Sequence, residues 1–440
     1  MPIMTITDLS WGGEGIGRIE GQVVFVPYAL PGEVIEIRIM ERRKNFSRGK
    51  LIKVLEPSPD RVEPPCAYFT ACGGCQLQHL SEARQPLEKE RLFRQALLHG
   101  LKPSALSFLP ILSSPLKLGY RHRLQLKILW KEGRPIFGFF GPKSRELIPI
   151  EHCLLANKSL NRVLPLIKEG LASLPQKISA DSLEIQLFEE PLAGGLLFTS
   201  INLPEKSRRR GLTRALAGLP GLQYILFQDS GKRRLVGDLP FSAEQHSPVF
   251  LLPAVESGLP RDIRMACFPQ VFSQVNMGAN RLLLATLLKR SIWGSGEALW
   301  DLYSGMGNFS IPFSFKVREV IGIEAFPAAV VNARWNRSLN QVSNCRFILG
   351  QAGEELARLK KERSGVSLLI LDPPRSGAKE VIPELDSCQP EGILYISCDP
   401  MTLVRDLKGL TERGWQIIWS QGLDFFPQTY HLESITFLRR

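Results

Sequence analysis

Four short motifs in the last third of the chain contain residue types that carry chemistry. Residues 301–308 are Asp-Leu-Tyr-Ser-Gly-Met-Gly-Asn, and residues 372–375 are Asp-Pro-Pro-Arg. Cys398 follows in Ser-Cys-Asp-Pro, and Glu433 lies in His-Leu-Glu-Ser. Glycines let a backbone approach a ligand, a thiolate is a strong nucleophile, and a carboxylate removes protons. The order indicates a nucleotide-cofactor site followed by a nucleophile and a base, so we predict an enzyme.

Predicted strands place these residues together. Four apolar runs are strand candidates: 299–303, 319–323, 366–371 and 394–397. The glycine turn, Glu324, Asp372 and Cys398 each follow one of them. In an open parallel sheet, ligands bind at the carboxyl ends of the strands, and a carboxylate about 20 residues beyond a glycine turn binds ribose hydroxyls. Glu324 stands at that distance.

Three of the eight cysteines stand close together, and a fourth follows much later. The four are Cys66, Cys72, Cys75 and Cys153. Such a set suits a tetrahedral metal ion or a [4Fe-4S] cluster. Zinc ribbons usually pair two C-x2-C knuckles, and only one is present here, which favours iron–sulfur. His79 and His152 keep zinc open as an alternative.

The composition is that of a globular protein with an excess of positive charge. The chain has 440 residues, 44% hydrophobic and 22% charged, and a net charge of +12. This length predicts two or three domains. The charge favours a polyanionic partner such as a nucleic acid, the alternative being a generically basic soluble protein. No apolar run has membrane-spanning length, and the N-terminus lacks the pattern of a signal peptide, so we expect a cytosolic protein without a membrane partner.

The N-terminal segment is predicted to be all-β. Strand-like runs at 22–26, 33–40 and 51–55 are separated by glycine-containing turns. Strands this short and closely spaced indicate a small barrel of the oligonucleotide-binding kind. Between the last two lies a basic run with one aromatic residue, formed by Arg42, Arg43, Lys44, Phe46, Arg48 and Lys50. It fits single-stranded RNA, with Phe46 stacking a base, or equally a solvated hairpin.

The middle of the chain carries no recognisable catalytic motif. Residues 82–98 have helical periodicity, and 123–129, 136–140, 183–188 and 195–201 resemble strands.

The C-terminal motifs together resemble those of the RNA 5-methyluridine methyltransferases, which use S-adenosylmethionine. DLYSGMGNFS, LDPPRSG, ISCDP and HLES carry the resemblance, and residues 268–276 are similar to the family's substrate- and cofactor-contacting segment. The cysteine pattern and the N-terminal barrel resemble the subgroup with a TRAM domain and a [4Fe-4S] cluster, typified by the bacterial 23S rRNA enzymes. The resemblance covers essentially the whole chain. It implies 23S rRNA as the favoured substrate, with tRNA as the alternative.

The resemblance assigns roles to individual residues. Cys398 matches the nucleophile, Glu433 the general base, and Asp372 the acidic residue between cofactor and uracil. Cofactor contacts are implied for Gln274, Tyr303, Gly305, Asn308, Glu324, Gln351 and Asp372. Gln351 departs from the Asp or Asn usual in the family. Cys66, Cys72, Cys75 and Cys153 match the cluster ligands.

The implied chemistry explains these residue types. Carbon-5 of uracil becomes nucleophilic when a thiolate adds to carbon-6, and a base must later remove the carbon-5 proton. We therefore expect surroundings that favour the thiolate of Cys398. We also expect the target uracil to be flipped out of the RNA stack or presented in an RNA loop.

Two other classes compete with this interpretation. Asp-Pro-Pro also resembles the motif of amino-methyltransferases, but Arg375 replaces their stacking aromatic residue. A non-catalytic RNA-binding iron–sulfur protein would not need Cys398, Asp372 and Glu433 together.

The predicted fold class is α/β with three domains. Residues 1–57 form the TRAM barrel of the OB-fold type, and 58–260 form a central α+β domain with the cluster. Residues 261–440 form a Rossmann-like S-adenosylmethionine-dependent methyltransferase domain. We expect a monomer.

Overall fold

The computed structural model describes residues 1–101, 106–175, 178, 180–200, 202–231, 235–237, 242–290, 292–293, 297–362 and 366–440. Its strands form a closed barrel, a seven-stranded sheet, a two-stranded sheet and an eight-stranded sheet. Among the described residues, no helix is long and apolar enough to cross a membrane.

The N-terminal barrel has five strands. They are β1 (Ile3–Leu9), β2 (Glu14–Ile19), β3 (Gln22–Pro27), β4 (Val34–Arg42) and β5 (Phe46–Glu56). Neighbours around the barrel follow the order β1-β2-β3-β5-β4. Alternate side chains such as Met4 and Ile6 on β1 and Ile35 and Ile37 on β4 are buried, as the two-residue period of a strand requires. The predicted barrel is confirmed, with two strands, β1 and β2, that the sequence analysis did not identify.

A mostly antiparallel sheet forms the middle of the molecule. Its strands are β7 (Arg123–Lys131), β8 (Arg134–Phe140), β9 (Leu147–Pro149), β10 (Ser182–Glu189), β11 (Leu192–Ser200), β12 (Leu222–Asp229) and β13 (Leu235–Gly237), in the order β13-β12-β11-β10-β7-β8-β9. Two helices, α2 (Lys158–Ala172) and α3 (Lys206–Ala215), accompany it. Leu160 and Ile167 of α2 pack with Leu126 and Phe198 of the sheet in one apolar cluster.

The C-terminal sheet begins at one edge with five consecutive parallel strands. Its elements are β16 (Ala298–Leu302), β17 (Glu319–Glu324), β18 (Cys345–Leu349), β19 (Leu368–Leu371), β20 (Gly392–Ser397), β21 (Gln416–Asp424), β22 (Glu433–Arg439) and β6 (Phe108–Ser113). The order is β18-β17-β16-β19-β20-β22-β21-β6. Strand β22 runs antiparallel to both β20 and β21. A parallel sheet of this kind confirms the predicted Rossmann-like domain.

Helices cover both faces of this sheet. They are α1 (Arg84–Leu101), α6 (Met277–Leu288), α7 (Ser310–Phe313), α8 (Pro327–Leu339), α9 (Ala352–Glu362), α10 (Leu385–Cys388), α11 (Pro400–Thr411) and the 3-10 helix Ile382–Glu384. Along β19, Leu368 and Ile370 join one apolar cluster, and Leu369 and Leu371 join another. A strand buried on both faces reads as a continuous apolar run, which is why β19 is visible in the sequence.

Short elements connect the two large sheets. They are α4 (Ala243–His246), β14 (Val249–Leu252), α5 (Ala254–Ser257) and β15 (Ile263–Ala266), with β14 and β15 paired antiparallel.

One early segment packs with the C-terminal sheet. Strand β6 pairs in parallel with β21 at the sheet edge, and α1 lies against α11. A methyl group on Gly100 would lie 2.2 Å from Cγ1 of Val404, so the two helices approach closely. Residues 84–101 and 106–113 thus pack with the C-terminal sheet, although they precede the central sheet. The boundaries 1–57, 58–260 and 261–440 stay a prediction.

Candidate active site

A cavity of about 810 Å³ opens at the carboxyl ends of the parallel strands. It is lined by every catalytic and cofactor residue predicted from the sequence: Gln274, Tyr303, Gly305, Asn308, Glu324, Gln351, Asp372, Cys398 and Glu433. Residues distant in the chain meet here because parallel strands end at one edge of a sheet. Their individual roles stay predictions.

The turn after β16 places bare backbone against this cavity. Gly305 and Gly307 have φ angles of 55° and 86°, a region that glycine adopts without steric cost. A methyl group on Gly305 would meet no other protein atom within 4 Å, so the space beside it is open. On Gly307 it would lie 3.1 Å from both Ile311 and Phe347. The turn therefore leaves room for a ligand along its backbone.

Glu324 is held toward this turn from the end of β17. Its Oε2 accepts from the N–H of Gly305 at 2.9 Å, and its Oε1 accepts from the N–H of Phe326 at 2.7 Å. An ionised carboxylate has about four acceptor positions. Glu324 therefore retains capacity to accept from ribose hydroxyls.

Other polar side chains around the cavity differ in how well they are satisfied. The hydroxyl of Tyr303 donates to Oε1 of Glu380 at 2.6 Å, and the amides of Asn308 and Asn280 bond reciprocally at 2.9 and 3.0 Å. Oε1 of Gln274, in contrast, is buried without a partner among the described residues. A buried unsatisfied acceptor costs free energy. Gln274 is therefore placed to bond a ligand in the cavity.

Antiparallel pairing brings Cys398 and Glu433 together. Ser397, the last residue of β20, pairs with Ser434 of β22, whose hydroxyl donates to the Ser397 carbonyl at 3.1 Å. Cys398 and Glu433 lie one residue beyond this pair, in opposite chain directions. Both consequently reach the same cavity.

The start of α11 fixes the turn that carries Cys398. Oδ1 of Asp399 accepts from the N–H groups of Met401 and Thr402, each at 2.9 Å, which is an N-cap. Pro400 occupies the first helical position, where its missing N–H costs nothing. The Ser-Cys-Asp-Pro motif thus combines a nucleophile with a rigid helix start.

Burial raises the pKa of three groups that line this cavity, Glu433, Asp372 and Cys398. Burial raises the pKa of Glu433 to about 7, against the opposing charge of Arg375. Burial, then the charges of Glu433 and Asp301, raise the pKa of Asp372 well above its usual range. Burial and the charge of Glu433 raise the pKa of the Cys398 thiol to about 11, and Arg375 opposes this rise. The expectation of surroundings that favour the thiolate is therefore wrong for the protein alone, in which the thiol is neutral at pH 7.

Several side chains in the cavity were not predicted as site residues. Arg121, Phe272 and Phe426 line it, and Phe272 is 67% exposed. The guanidinium of Arg121 lies 6.0 Å from the ring centroid of Phe426. Arg121 belongs to Gly-Tyr-Arg-His-Arg, a basic and aromatic cluster that is the one local signal for it. His431 also lines the cavity, and burial followed by nearby cations lowers its pKa to about 4, so it is neutral at pH 7.

A second cavity, of about 250 Å³, brings the clustered cysteines together. It is lined by Cys66, Cys72, Cys75 and Cys153, and also by His152 and Arg121. Among the described residues, no three Cys, His, Asp or Glu side chains are arranged as ligands of one metal ion. His79 is buried outside this cavity, against the rings of Tyr28 and Phe69.

The basic run of the barrel divides into two parts. Arg42, Arg43, Lys44 and Lys50 are exposed, at or near the turn between β4 and β5. Phe46 is half-buried with its ring edge-on to Phe25, at 5.7 Å between centroids. Arg48 forms an ion pair with Glu14 at 2.5 Å. Phe46 and Arg48 are thus already engaged within the barrel.

Comparison with known proteins agrees with this architecture. Residues 259–440 match the model of the tRNA (uracil-5-)-methyltransferase family, and residues 4–52 match the TRAM domain. An uncharacterised RNA methyltransferase of Synechocystis sp. is 34% identical over 99% of this chain and 95% of its own length. The 23S rRNA (uracil(1939)-C(5))-methyltransferase RlmD of Haemophilus parainfluenzae is 31% identical over 99% and 95%.

The fold is also similar to that of a solved structure. The tRNA (uracil-54, C5)-methyltransferase of Pyrococcus abyssi, solved with S-adenosyl-L-homocysteine, has a TM-score of 0.72 and 22% identity, with 99% of this chain and 100% of that chain covered. Shared fold, family model and full-length relatives lead to one conclusion: the chain belongs to the RNA (uracil-5-)-methyltransferase family and carries an N-terminal TRAM domain.

Proposed function

We propose that this enzyme methylates carbon-5 of a uridine in 23S rRNA through a covalent adduct of Cys398 that Glu433 resolves. The observation that carries the proposal is the register of β20 against β22. It brings one thiol and one buried carboxyl to a cavity that also contains the glycine turn and Glu324. A nucleophile, a base and a nucleotide site in one cavity are what this reaction requires.

The residues around the glycine turn fit S-adenosylmethionine. The unpartnered Oε1 of Gln274 and the open backbone of Gly305 support binding there, and Glu324 offers acceptors for the ribose. Tyr303, Asn308 and Gln351 line the same cavity and complete the proposed set. When bound, S-adenosylmethionine supplies a positively charged, electrophilic methyl group. A positive charge in the cavity favours the thiolate of Cys398.

Cys398 starts the reaction by losing its thiol proton to solvent and forming a bond from the resulting thiolate sulfur to carbon-6 of the uracil. The electron pair of the carbon-5–carbon-6 double bond then makes carbon-5 nucleophilic, with negative charge shared by the carbonyl oxygen at carbon-4. Burial, followed by the charges of Glu433 and Asp301, raises the pKa of Asp372 well above its usual range and so favours its protonated form. A protonated carboxyl donates a hydrogen bond, which suits it to stabilise developing negative charge.

Once carbon-5 carries the methyl group, Glu433 in its ionised form ends the reaction by accepting the carbon-5 proton. The electrons of the carbon–hydrogen bond re-form the double bond, the sulfur–carbon-6 bond breaks, and Cys398 leaves as a thiolate. A base works best when its pKa lies near the working pH, and the pKa of Glu433 is about 7.

We further propose that Cys66, Cys72, Cys75 and Cys153 hold a [4Fe-4S] cluster within the 58–260 domain. All four thiols line one cavity, yet the described side chains do not converge on a single ion. Zinc ribbons usually pair two C-x2-C knuckles, and only one is present here. Three clustered thiols and one distant thiol therefore fit a [4Fe-4S] cluster better than a zinc ion.

The choice of RNA follows the curated relatives. Full-length relatives such as the Haemophilus parainfluenzae enzyme are named for a 23S rRNA uracil, and the TRAM barrel with its exposed basic turn provides an RNA-binding surface.

One experiment separates the possible substrates. We would compare 5-methyluridine in 23S rRNA and in tRNA from cells with and without the gene, and from cells complemented with Cys398→Ala. Loss of one 5-methyluridine from 23S rRNA in the deletion and Cys398→Ala cells supports the proposal. A loss confined to tRNA would instead assign the tRNA alternative.

A further inference from the structure

The segment between β21 and β22 delivers the proposed base to the cavity. It comprises residues 425–432, called here the base loop, and Glu433 follows it directly. Phe426 and His431 of this loop line the cavity. The placement of Glu433 therefore depends on what holds the base loop.

The first half of the base loop is anchored by two residues from earlier in the chain, Lys89 and Tyr120. Lys89 of α1 forms a buried ion pair with Asp424 at 2.6 Å and donates to the carbonyl of Phe426 at 3.0 Å. The hydroxyl of Tyr120 donates to the carbonyl of Pro427 at 3.1 Å. These bonds fix the loop where it leaves β21.

The next residue, Gln428, joins the base loop to residues 66–80, which contain three of the clustered cysteines and are called here the cysteine loop. Its carbonyl accepts from the N–H groups of Gln76 and Leu77, at 3.1 and 3.0 Å, directly after Cys75. Gln428 is 2% exposed and has a φ of 70°. A residue other than glycine keeps such a conformation only where its surroundings hold it.

A single side chain, Gln85 of α1, completes the junction. Its Oε1 accepts from the N–H of Gln428 at 2.8 Å, and its Nε2 donates to Oε1 of Gln428 at 2.9 Å. The same Nε2 lies 3.1 Å from the carbonyl of Leu77 and 2.9 Å from that of Leu80. One buried amide thus bonds both loops.

We propose that Gln85 and Gln428 are positioning residues that couple order in the cysteine loop to the placement of Glu433. The inference rests on the proposed function only in that Glu433 is taken as the base. Cys398 is positioned separately, by the N-cap of α11. Loosening the junction therefore slows proton removal and release more than thiolate addition.

The test uses two substitutions at Gln85 and one control. Gln85→Ala removes all of its bonds, and Gln85→Glu places a carboxylate against carbonyl acceptors. Gln95→Ala is the matched control, because Gln95 lies on the same helix and accepts from Arg91. If a Gln85 variant does not fold, Gln428→Gly serves instead, since glycine tolerates the positive φ while losing the side-chain bonds.

The first readout is independent of activity. Backbone hydrogen exchange at Gln76, Leu77 and Gln428 should quicken by about tenfold or more in the Gln85 variants, because buried hydrogen bonds set local opening. Gln95→Ala should exchange like the wild type. Cys72→Ser should also quicken exchange at Gln428. Wild-type exchange rates in both the Gln85 variants and Cys72→Ser would overturn the proposed coupling between the two loops.

The second readout separates the reaction steps. With 5-fluorouridine RNA, the Gln85 variants should form the Cys398 adduct at near the wild-type rate. With ordinary uridine RNA, they should accumulate a covalent enzyme–RNA band because release is slow. If adduct formation and release were slowed equally, Gln85 would have only a general structural role, and its role in positioning Glu433 would be overturned. If the wild type forms no adduct, the proposed function fails, while the exchange experiment still decides whether the two loops are coupled.

Discussion

Glu433 lies close enough to Cys398 for its negative charge to raise the pKa of the thiol. Ionised Glu433, which the proposed mechanism needs as the base at the end of the reaction, therefore opposes formation of the Cys398 thiolate at the start. Protonation of Glu433, whose pKa is about 7, relieves this opposition. The two steps consequently favour different protonation states of one carboxyl group.

Cys398→Ala should abolish methylation while leaving S-adenosylmethionine affinity within about twofold, because the thiol acts on the uracil. We expect turnover to fall by at least roughly 10³-fold, as for loss of a covalent nucleophile. The wild type should form a stable adduct with 5-fluorouridine RNA, since fluorine cannot leave as a proton does. Methylation by the Ala variant at the wild-type rate would refute the covalent route.

Glu433→Gln should permit addition and methylation but stall release, because an amide cannot accept the proton at neutral pH. The stalled complex should be visible as a band of raised mass on a denaturing gel with ordinary uridine RNA. Adding Cys398→Ala to this variant should remove the band. Normal turnover by Glu433→Gln would move the role of base elsewhere, with His431 the next residue to test.

Glu433→Gln should also stabilise the protein above neutral pH. The pKa of Glu433 rises from 4.5 to about 7 on folding, so the unfolded chain ionises first and stability falls as pH rises through this window. Glutamine stays neutral, so the variant escapes this loss. We expect its free energy of unfolding to exceed that of the wild type by about 1–3 kcal/mol at pH 8. The difference should vanish near pH 4 in denaturant titrations, and its persistence there would contradict the assignment.

The exposed basic turn of the barrel should bind RNA phosphates. Lys44→Ala should weaken RNA binding and reduce the slope of log affinity against log salt by about 1. Lys53→Ala, farther along β5, is the control and should change the slope little. Phe46→Ala should instead lower barrel stability, since its ring packs on Phe25. An unchanged salt slope in Lys44→Ala would exclude this turn from the RNA interface.

Anaerobically purified protein should be brown and contain about four irons per chain. Cys72→Ser should lose iron, whereas Cys388→Ser, outside the cysteine cavity, should retain it. Colourless protein with one tightly bound zinc would overturn the cluster assignment.

Most residues that line the cavity could be predicted from the sequence because they directly follow strands that are visible there as apolar runs. Leu368–Leu371 is a continuous apolar run, and Asp372 comes directly after it. The proximity of Glu433 to Cys398, and the burial of Glu433, could not be predicted in the same way because both depend on the antiparallel register of β22 against β20. Such register is a tertiary property, and no local period encodes it.

Other features were missed for physical reasons that can be named. A bulge between Ile6 and Asp8 breaks the alternation of β1, which hides a strand from a two-residue period. Arg121 enters the cavity from the central region, where its only local signal is the basic and aromatic cluster Gly-Tyr-Arg-His-Arg. The neutral state of Cys398 arises from burial and from Glu433, neither of which the motif reveals.

The position of β6 bears on how the protein is made. Phe108 pairs with Ser420 at the edge of the C-terminal sheet. A ribosome adds about 5–20 residues per second, so roughly 15–60 s separate the synthesis of these two strands. During that interval β6 has no sheet to join, and its unpaired edge is open to other chains. The C-terminal sheet is therefore completed late in translation. Until then, the segment that contains β6 must stay soluble without its partner strand.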